Sequence, residues 1–189
     1  VEREKKVDGD GGLGAWGHTI GSSFGDFNND GHLDLFVGNF SHPPSYQDRP
    51  KFLKNLGPDS SFTFQDLSSE AGLGWQESFA SPTLGDFDND GLLDLYFTTV
   101  YPGDHCVLYK NLGNFKFQNV TATSGVSADL TYQAGWADFD GDGDLDLATR
   151  GRIYRNNNAA SNYLRLAITA KSPLDSNAIG AVARIKLGE

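Results

Sequence analysis

The chain of 189 residues contains no methionine and a single cysteine, Cys106. One thiol excludes an intrachain disulfide framework and any cysteine-rich zinc site. Cys106 reads as a small buried hydrophobe, the rival reading being a reactive or intermolecular thiol. The four histidines, His18, His32, His42 and His105, stand apart without HxH or HxxxH spacing, so zinc is not expected. Without methionine Val1 is not an initiator, and the N-terminus is expected to come from processing, excision or an incomplete sequence. Basic residues are also scarce: 15 Lys and Arg against 25 Asp and Glu leave a formal charge of −10. No cationic face is then available for nucleic acid or an anionic membrane surface, and neither partner is expected. No apolar run approaches the roughly 18 residues of a membrane-spanning helix. The opening Val1-Glu-Arg-Glu-Lys-Lys lacks the apolar stretch of a signal peptide. Convincing helical periodicity is missing as well.

What the chain has instead is glycine, 23 residues, and aromatics, 12% of the total, a mixture that suggests short strands and many turns. It also repeats itself. Gly25-Asp-Phe-Asn-Asn-Asp-Gly-His-Leu-Asp-Leu-Phe-Val returns at Gly85 and, with Ala in the first place, at Ala137. The aspartates that open the three loops, Asp26, Asp86 and Asp138, lie 60 and 52 residues apart. A second element follows each loop: Phe52-Leu-Lys-Asn-Leu-Gly57, Leu108-Tyr-Lys-Asn-Leu-Gly113 and Ile153-Tyr-Arg-Asn-Asn-Asn158. A third, Phe62-Thr-Phe-Gln-Asp-Leu, recurs as Phe115-Lys-Phe-Gln-Asn-Val but is missing from the last copy, which runs into Asn162-Tyr-Leu-Arg-Leu-Ala-Ile. Periods of 50 to 60 residues with several strand-like runs in each predict an all-β fold of about three β-propeller blades. Propellers usually carry about four to eight blades, so three units read as part of a larger propeller or a self-associating piece.

Within each loop, numbered from its first aspartate, positions 1, 3 and 5 are Asp26, Asn28, Asp30; Asp86, Asp88, Asp90; and Asp138, Asp140, Asp142. Position 6 is Gly31, Gly91 or Gly143, where φ > 0 lets the chain turn sharply around an ion. Position 9 is Asp34, Asp94 or Asp146, and position 7, which would offer its backbone carbonyl, is His32, Leu92 or Asp144. Oxygens in that order suit a hard cation of calcium size, which predicts up to three Ca2+ ions. An EF-hand shares the first six positions but needs an acid at position 12 and flanking helices. Here position 12 is Val37, Phe97 or Thr149 in β-rich sequence, which excludes it. Twelve of the 25 acids lie in the loops, Asp144 included, so the rest of the chain is slightly basic and the acidity is local. Phe27, Phe87 and Phe139 at position 2, with leucines at 8 and 10, are expected to pin each loop to its blade.

These loops, preceded by Phe-Gly or Leu-Gly in the first two copies and followed in the second by Leu-Tyr-Lys-Asn-Leu-Gly, resemble the FG-GAP (VCBS) repeats of integrin α-chain propellers and many bacterial secreted proteins. The resemblance covers roughly residues 14 to 158 and implies calcium-stabilised blades of an extracellular propeller, with ligands bound on loops away from the metal. The tail from Asn162, with Ser176-Asn-Ala-Ile-Gly-Ala-Val-Ala-Arg-Ile, is similar to the start of an ASPIC/UnbV segment. The expected division is repeats over 1–160 and this segment over 161–189. Two departures stand out: Asn28 replaces an acid at position 3, and the tail stops short of a complete domain.

Other motifs lack their context. Gly21-Ser-Ser-Phe-Gly25 matches a nucleophile elbow at Ser23, yet runs into an aspartate loop rather than a helix. Gly9-Asp-Gly-Gly-Leu-Gly14 matches GxGxxG without a strand before it or a helix after it. Paired aspartates could serve a glycosidase, but these are committed to metal. Asn39-Phe-Ser41 and Asn119-Val-Thr121 are near-chance glycosylation triplets. The reading is a non-enzymatic calcium-binding module, extracellular or at the cell surface, for adhesion or macromolecular recognition of a protein or carbohydrate. The alternatives are the propeller portion of a secreted polysaccharide-degrading enzyme, or a structural protein that joins copies through unpaired blade edges.

Overall fold

The computed structural model describes residues 18–42, 46–47, 49–74, 76, 78–126, 128–158, 166–169 and 182–185. They form three antiparallel sheets, one for each sequence unit. In blade 1 the strands run β1 (His18–Gly25), β2 (Asp34–His42), β4 (Lys51–Asn55) and β5 (Phe64–Asp66), with β3 (Tyr46–Gln47) paired to the end of β2. Blade 2 is β6 (Pro82–Gly85), β7 (Asp94–Phe97), β8 (Val107–Asn111) and β9 (Phe117–Asn119). Blade 3 is β10 (Ala134–Ala137), β11 (Asp146–Thr149) and β12 (Arg152–Tyr154). The register is the same in all three: Gly25 pairs with Asp34, Gly85 with Asp94 and Ala137 with Asp146, so each acidic loop closes the first hairpin of its blade. The only helical pieces among the described residues are a 3-10 turn at Pro58–Ser60 and one turn of α-helix, α1 (Thr121–Ser124). The second stops at Gly125, whose φ of 75° suits a left-handed cap; a single turn is too short to print a period on the sequence.

Side chains of a strand alternate between the two faces of its sheet, and blade 2 has a blade on each. Leu95 and Phe97 enter a core with Phe27, Phe36, Phe52, Phe79 and Tyr109, while Tyr96 between them enters another with Leu108, Val126, Leu147 and Trp136. All of β7 is therefore buried. Phe27 meets Phe52 edge to face at 4.8 Å, and Phe79 meets Phe97 at 4.4 Å, arrangements that suit the ring quadrupole.

Glycine at the end of the first strand admits the next blade. A Cβ at Gly25 would lie 2.6 Å from Leu84 Cδ1, and one at Gly85 would lie 2.8 Å from Trp136 Cγ. Blade 3 carries Ala137 there, exposed, and has Ala148 exposed where the others bury Phe36 and Tyr96.

Two expectations need correcting on this account. Phe139 does not pin its loop to a core but is 53% exposed, because no further blade lies beyond blade 3 among the described residues to receive it as blades 2 and 3 receive Phe27 and Phe87. Leu33 is 57% exposed for the mirror reason, since no described blade precedes blade 1, whereas its counterpart Leu93 packs against the core of blades 1 and 2. In the tail, Leu166–Thr169 and 182–185 are exposed and irregular. The remainder of the expected strand from Asn162, the ASPIC/UnbV likeness with its boundary at 160/161, and the Gly9–Gly14 turn lie outside the described residues.

Candidate metal centres

The first two loops fold by the same hydrogen bonds, and the third by a close variant in which position 1 accepts from the N–H of position 4 in place of position 5. In the second, the position-1 carboxylate of Asp86 accepts from the N–H of Asp90 at 3.0 Å and of Gly91 at 2.9 Å, and Asp90 accepts from Leu92 N–H at 3.0 Å. In the first, Asp26 accepts from Asp30 and Gly31, and Asp30 from His32. In the third, Asp138 accepts from Gly141 and Gly143, and Asp142 from Asp144. The position-6 glycines have φ of 85°, 88° and 96°, the left-handed region expected of them.

Position 9 ties the loop to the sheet. Asp34, Asp94 and Asp146 are all buried, and each receives the N–H of position 2 on one oxygen and on the other the N–H of an asparagine from the strand or segment that follows. Burial, with Asp88 and Asp90 adding like charge, pushes the Asp94 carboxyl up from 3.8 to about 7 against the pull of the Asn111 and Phe87 N–H groups. A raised carboxyl favours the metal-free fold while the group is protonated, and that contribution is lost as pH climbs from 3.8 to about 7. Carbon-13 titration of the metal-free protein is expected to show an Asp94 side-chain midpoint near pH 7; a midpoint at the ordinary value would disprove the burial argument.

Three carboxylates converge in each of two loops. One oxygen each from Asp86, Asp88 and Asp94, and one each from Asp138, Asp140 and Asp146, lie within 4.8 Å of one another. Oxygens that share a calcium ion at about 2.3–2.6 Å can be no more than roughly 5 Å apart, so both groups have the span to share one. Asp88 Oδ1 is shielded from solvent yet accepts no hydrogen bond, an orphaned charge-bearing oxygen of the kind a cation would satisfy. The donor set is all oxygen, which suits calcium or magnesium rather than zinc.

The first loop forms no third group of carboxylates. Asn28 turns its amide onto Asp30 Oδ2 at 2.8 Å, and this bond is the main reason the Asp30 carboxyl lies below its usual range. Position 5 of the other loops, Asp90 and Asp142, stands outside the two groups, facing Lys110 and Arg155. His32, Leu92 and Asp144 present their backbone N–H groups to the position-5 carboxylates, and Asp144 also accepts from Asn89 Nδ2 at 2.8 Å.

Sequence reasoning missed the residues that join the loops. Asn29 and Asn89 at position 4, both at φ 57°, reach forward to the next blade, Asn29 to Gly91 O at 2.8 Å and Asn89 to Asp144. Asn111 and Asn156 reach back, to Phe27 O at 2.9 Å and Phe87 O at 2.6 Å. The signal was the Lys-Asn or Arg-Asn pair repeated in every second element, which reads from sequence as no more than a polar turn. Ser23, of the GxSxG match, lies within β1 and donates to Pro82 O at 3.0 Å, with no histidine in that bond.

A comparison with curated proteins finds no match. The model of the FG-GAP-like repeat matches twice, over residues 26–97 and 86–149, each match running from the first aspartate of one loop into the hairpin of the next unit. With three sheets in one register, three loops of one sequence pattern and matches that span most of the described residues, this chain belongs to the FG-GAP-like repeat family.

Proposed function

We propose that the chain is a calcium-stabilised, propeller-type recognition module that works outside the cell or at its surface and catalyses no reaction. The observation that carries this reading is the pair of three-carboxylate groups at the junctions between blades, one of which keeps a buried, unbonded oxygen on Asp88. Asp86, Asp88 and Asp94 would hold one ion, and Asp138, Asp140 and Asp146 the other. Like charges held this close repel by about 1 kcal/mol per pair even at the dielectric of water, so the loops gain from a divalent ion. External calcium is abundant enough for dissociation constants of roughly 10⁻⁴ to 10⁻³ M to suffice, which favours an extracellular setting. Adhesion to a protein or carbohydrate fits a scaffold whose rigid blades carry exposed loops, and the outer blade faces offer a route to self-association.

Calorimetric titration of metal-stripped protein tests the reading. Two calcium-binding events are expected, one lost in Asp88→Asn and the other in Asp140→Asn, changes that remove a charge without removing volume. Each site adds about 2.7 kcal/mol of stability at a hundredfold excess over its dissociation constant. A protein that shows neither heat nor a melting shift with calcium is not calcium-stabilised.

A further inference from the structure

Every acidic loop is faced by a cation from its own chain. Lys110 Nζ bonds Asp88 Oδ2 and lies 3.0 Å from Asp90 Oδ2. In blade 3, Arg155 Nε lies 2.7 Å from Asp140 Oδ2 and its terminal nitrogen 3.3 Å from Asp142 Oδ2. Lys54, the counterpart in blade 1, stands 3.9 Å from Asp30 Oδ2, a longer reach onto a loop where Asn28 already serves Asp30. The three residues occupy one place in the repeat, immediately before the asparagine whose N–H bonds the position-9 aspartate, and bridge the carboxylates of positions 3 and 5 wherever both are acidic.

We propose that Lys110 and Arg155 are tethered counter-ions that neutralise their loops in the absence of metal and compete with the divalent cation for the same carboxylates, thereby setting its affinity. This rests on the calcium reading above. Each cation bonds a member of a three-carboxylate group, Asp88 or Asp140, so an ion seated there must share that carboxylate with it or displace it. The bonds are charge-assisted, ammonium to carboxylate in one loop and guanidinium to carboxylate in the other. Blade 1 supplies the internal contrast, with one acid fewer and a looser cation. Because the counter-ion is part of the chain, the empty loop keeps its shape, and metal adds less than it would to a loop of bare carboxylates.

The test is calcium titration of Lys110→Gln and Arg155→Gln beside the parent and Lys110→Arg, with melting followed in chelator and in millimolar calcium. A unit positive charge about 5 Å from a divalent ion weakens its binding by roughly tenfold even at the dielectric of water. Each Gln variant is therefore expected to bind calcium about tenfold tighter at its own loop, to melt lower than the parent in chelator, and to show a larger rise with calcium. Lys110→Arg, which keeps the charge, is expected to bind as the parent does, and Lys54→Gln to change little. Equal or weaker calcium binding by both Gln variants, with an unchanged melting rise, would overturn the proposal while leaving the calcium reading intact. An absence of calcium binding in the parent and all variants would overturn both.

Discussion

Asn111→Ala is expected to destabilise the protein by about 3–5 kcal/mol, the largest effect of any single polar substitution, and to lower the melting temperature by about 10 °C or more. The side chain is fully buried and satisfied on both ends. Its amide donates to Phe27 O in blade 1 at 2.9 Å and to Leu93 O in its own loop at 3.0 Å, while its carbonyl accepts from Gly113 N–H at 2.9 Å. Alanine keeps the backbone bond from residue 111 to Asp94 and loses the other three, leaving two carbonyls and an N–H without partners, the Phe27 carbonyl in a buried site and the other two half-buried. A buried group left so costs about 1–3 kcal/mol, more than a hydrogen bond contributes when both partners are present. Asn55→Ala gives the control. Asn55 makes the equivalent bonds to Leu33 O and from Gly57 N–H, but among the described residues its amide reaches no other blade, so its loss should cost visibly less. Chemical denaturation of the three proteins in chelator checks this without interference from metal; a cost at Asn111 no greater than at Asn55 would remove the inter-blade bond from the account.

The contrast between these two asparagines marks how far the sequence could be read. The repeat made the three sheets legible, and the glycine at position 6 made a left-handed turn legible, because a single residue type reports each. Position 6 indeed lies at φ of 85° to 96° in all three loops. What Asn111 does was not legible, since its partner Phe27 is 84 residues away and nothing local distinguishes it from Asn55. The same holds for Lys110, which in a strand reading is a solvated surface residue, and only the fold lays it across Asp88 and Asp90. Phe139 was misread for a related reason. Repeat symmetry assigns it the role of Phe27, yet burial depends on a neighbour, and the repeat says nothing about which blade has one. Gly25 and Gly85 against Ala137 carried that information in plain view; its meaning waited on Leu84 and Trp136 arriving from the next blade.

Sedimentation in millimolar calcium is expected to show reversible self-association at micromolar concentration, lost in Leu33→Glu. Blade 1 turns outward the surface that receives a neighbour everywhere else in the chain: Phe24 and Leu33, 59% and 57% exposed, correspond in register to Leu84 and Leu93 of blade 2 and to Trp136 and Leu145 of blade 3. Those counterparts pack against the preceding blade at Gly25 and Gly85. Blade 3 does not offer the matching surface. Ala137 replaces the glycine, Gly141 replaces the forward-reaching asparagine, and Ala148 replaces Phe36 or Tyr96. Head-to-tail stacking of copies in the manner of successive blades is thus disfavoured, although Phe139 and Ile153 are exposed there. A contact that uses the blade 1 surface of both copies remains, and such a self-complementary contact closes as a two-fold dimer instead of growing into a filament. Glutamate at Leu33 would place a charge at the centre of that contact in both copies at once, whereas Phe139→Glu would leave it untouched. Dimers that survive Leu33→Glu but dissociate in Phe139→Glu would place the contact on blade 3. A compact 20.5 kDa species at every concentration would show that the exposed side chains of blade 1 do not by themselves join two copies.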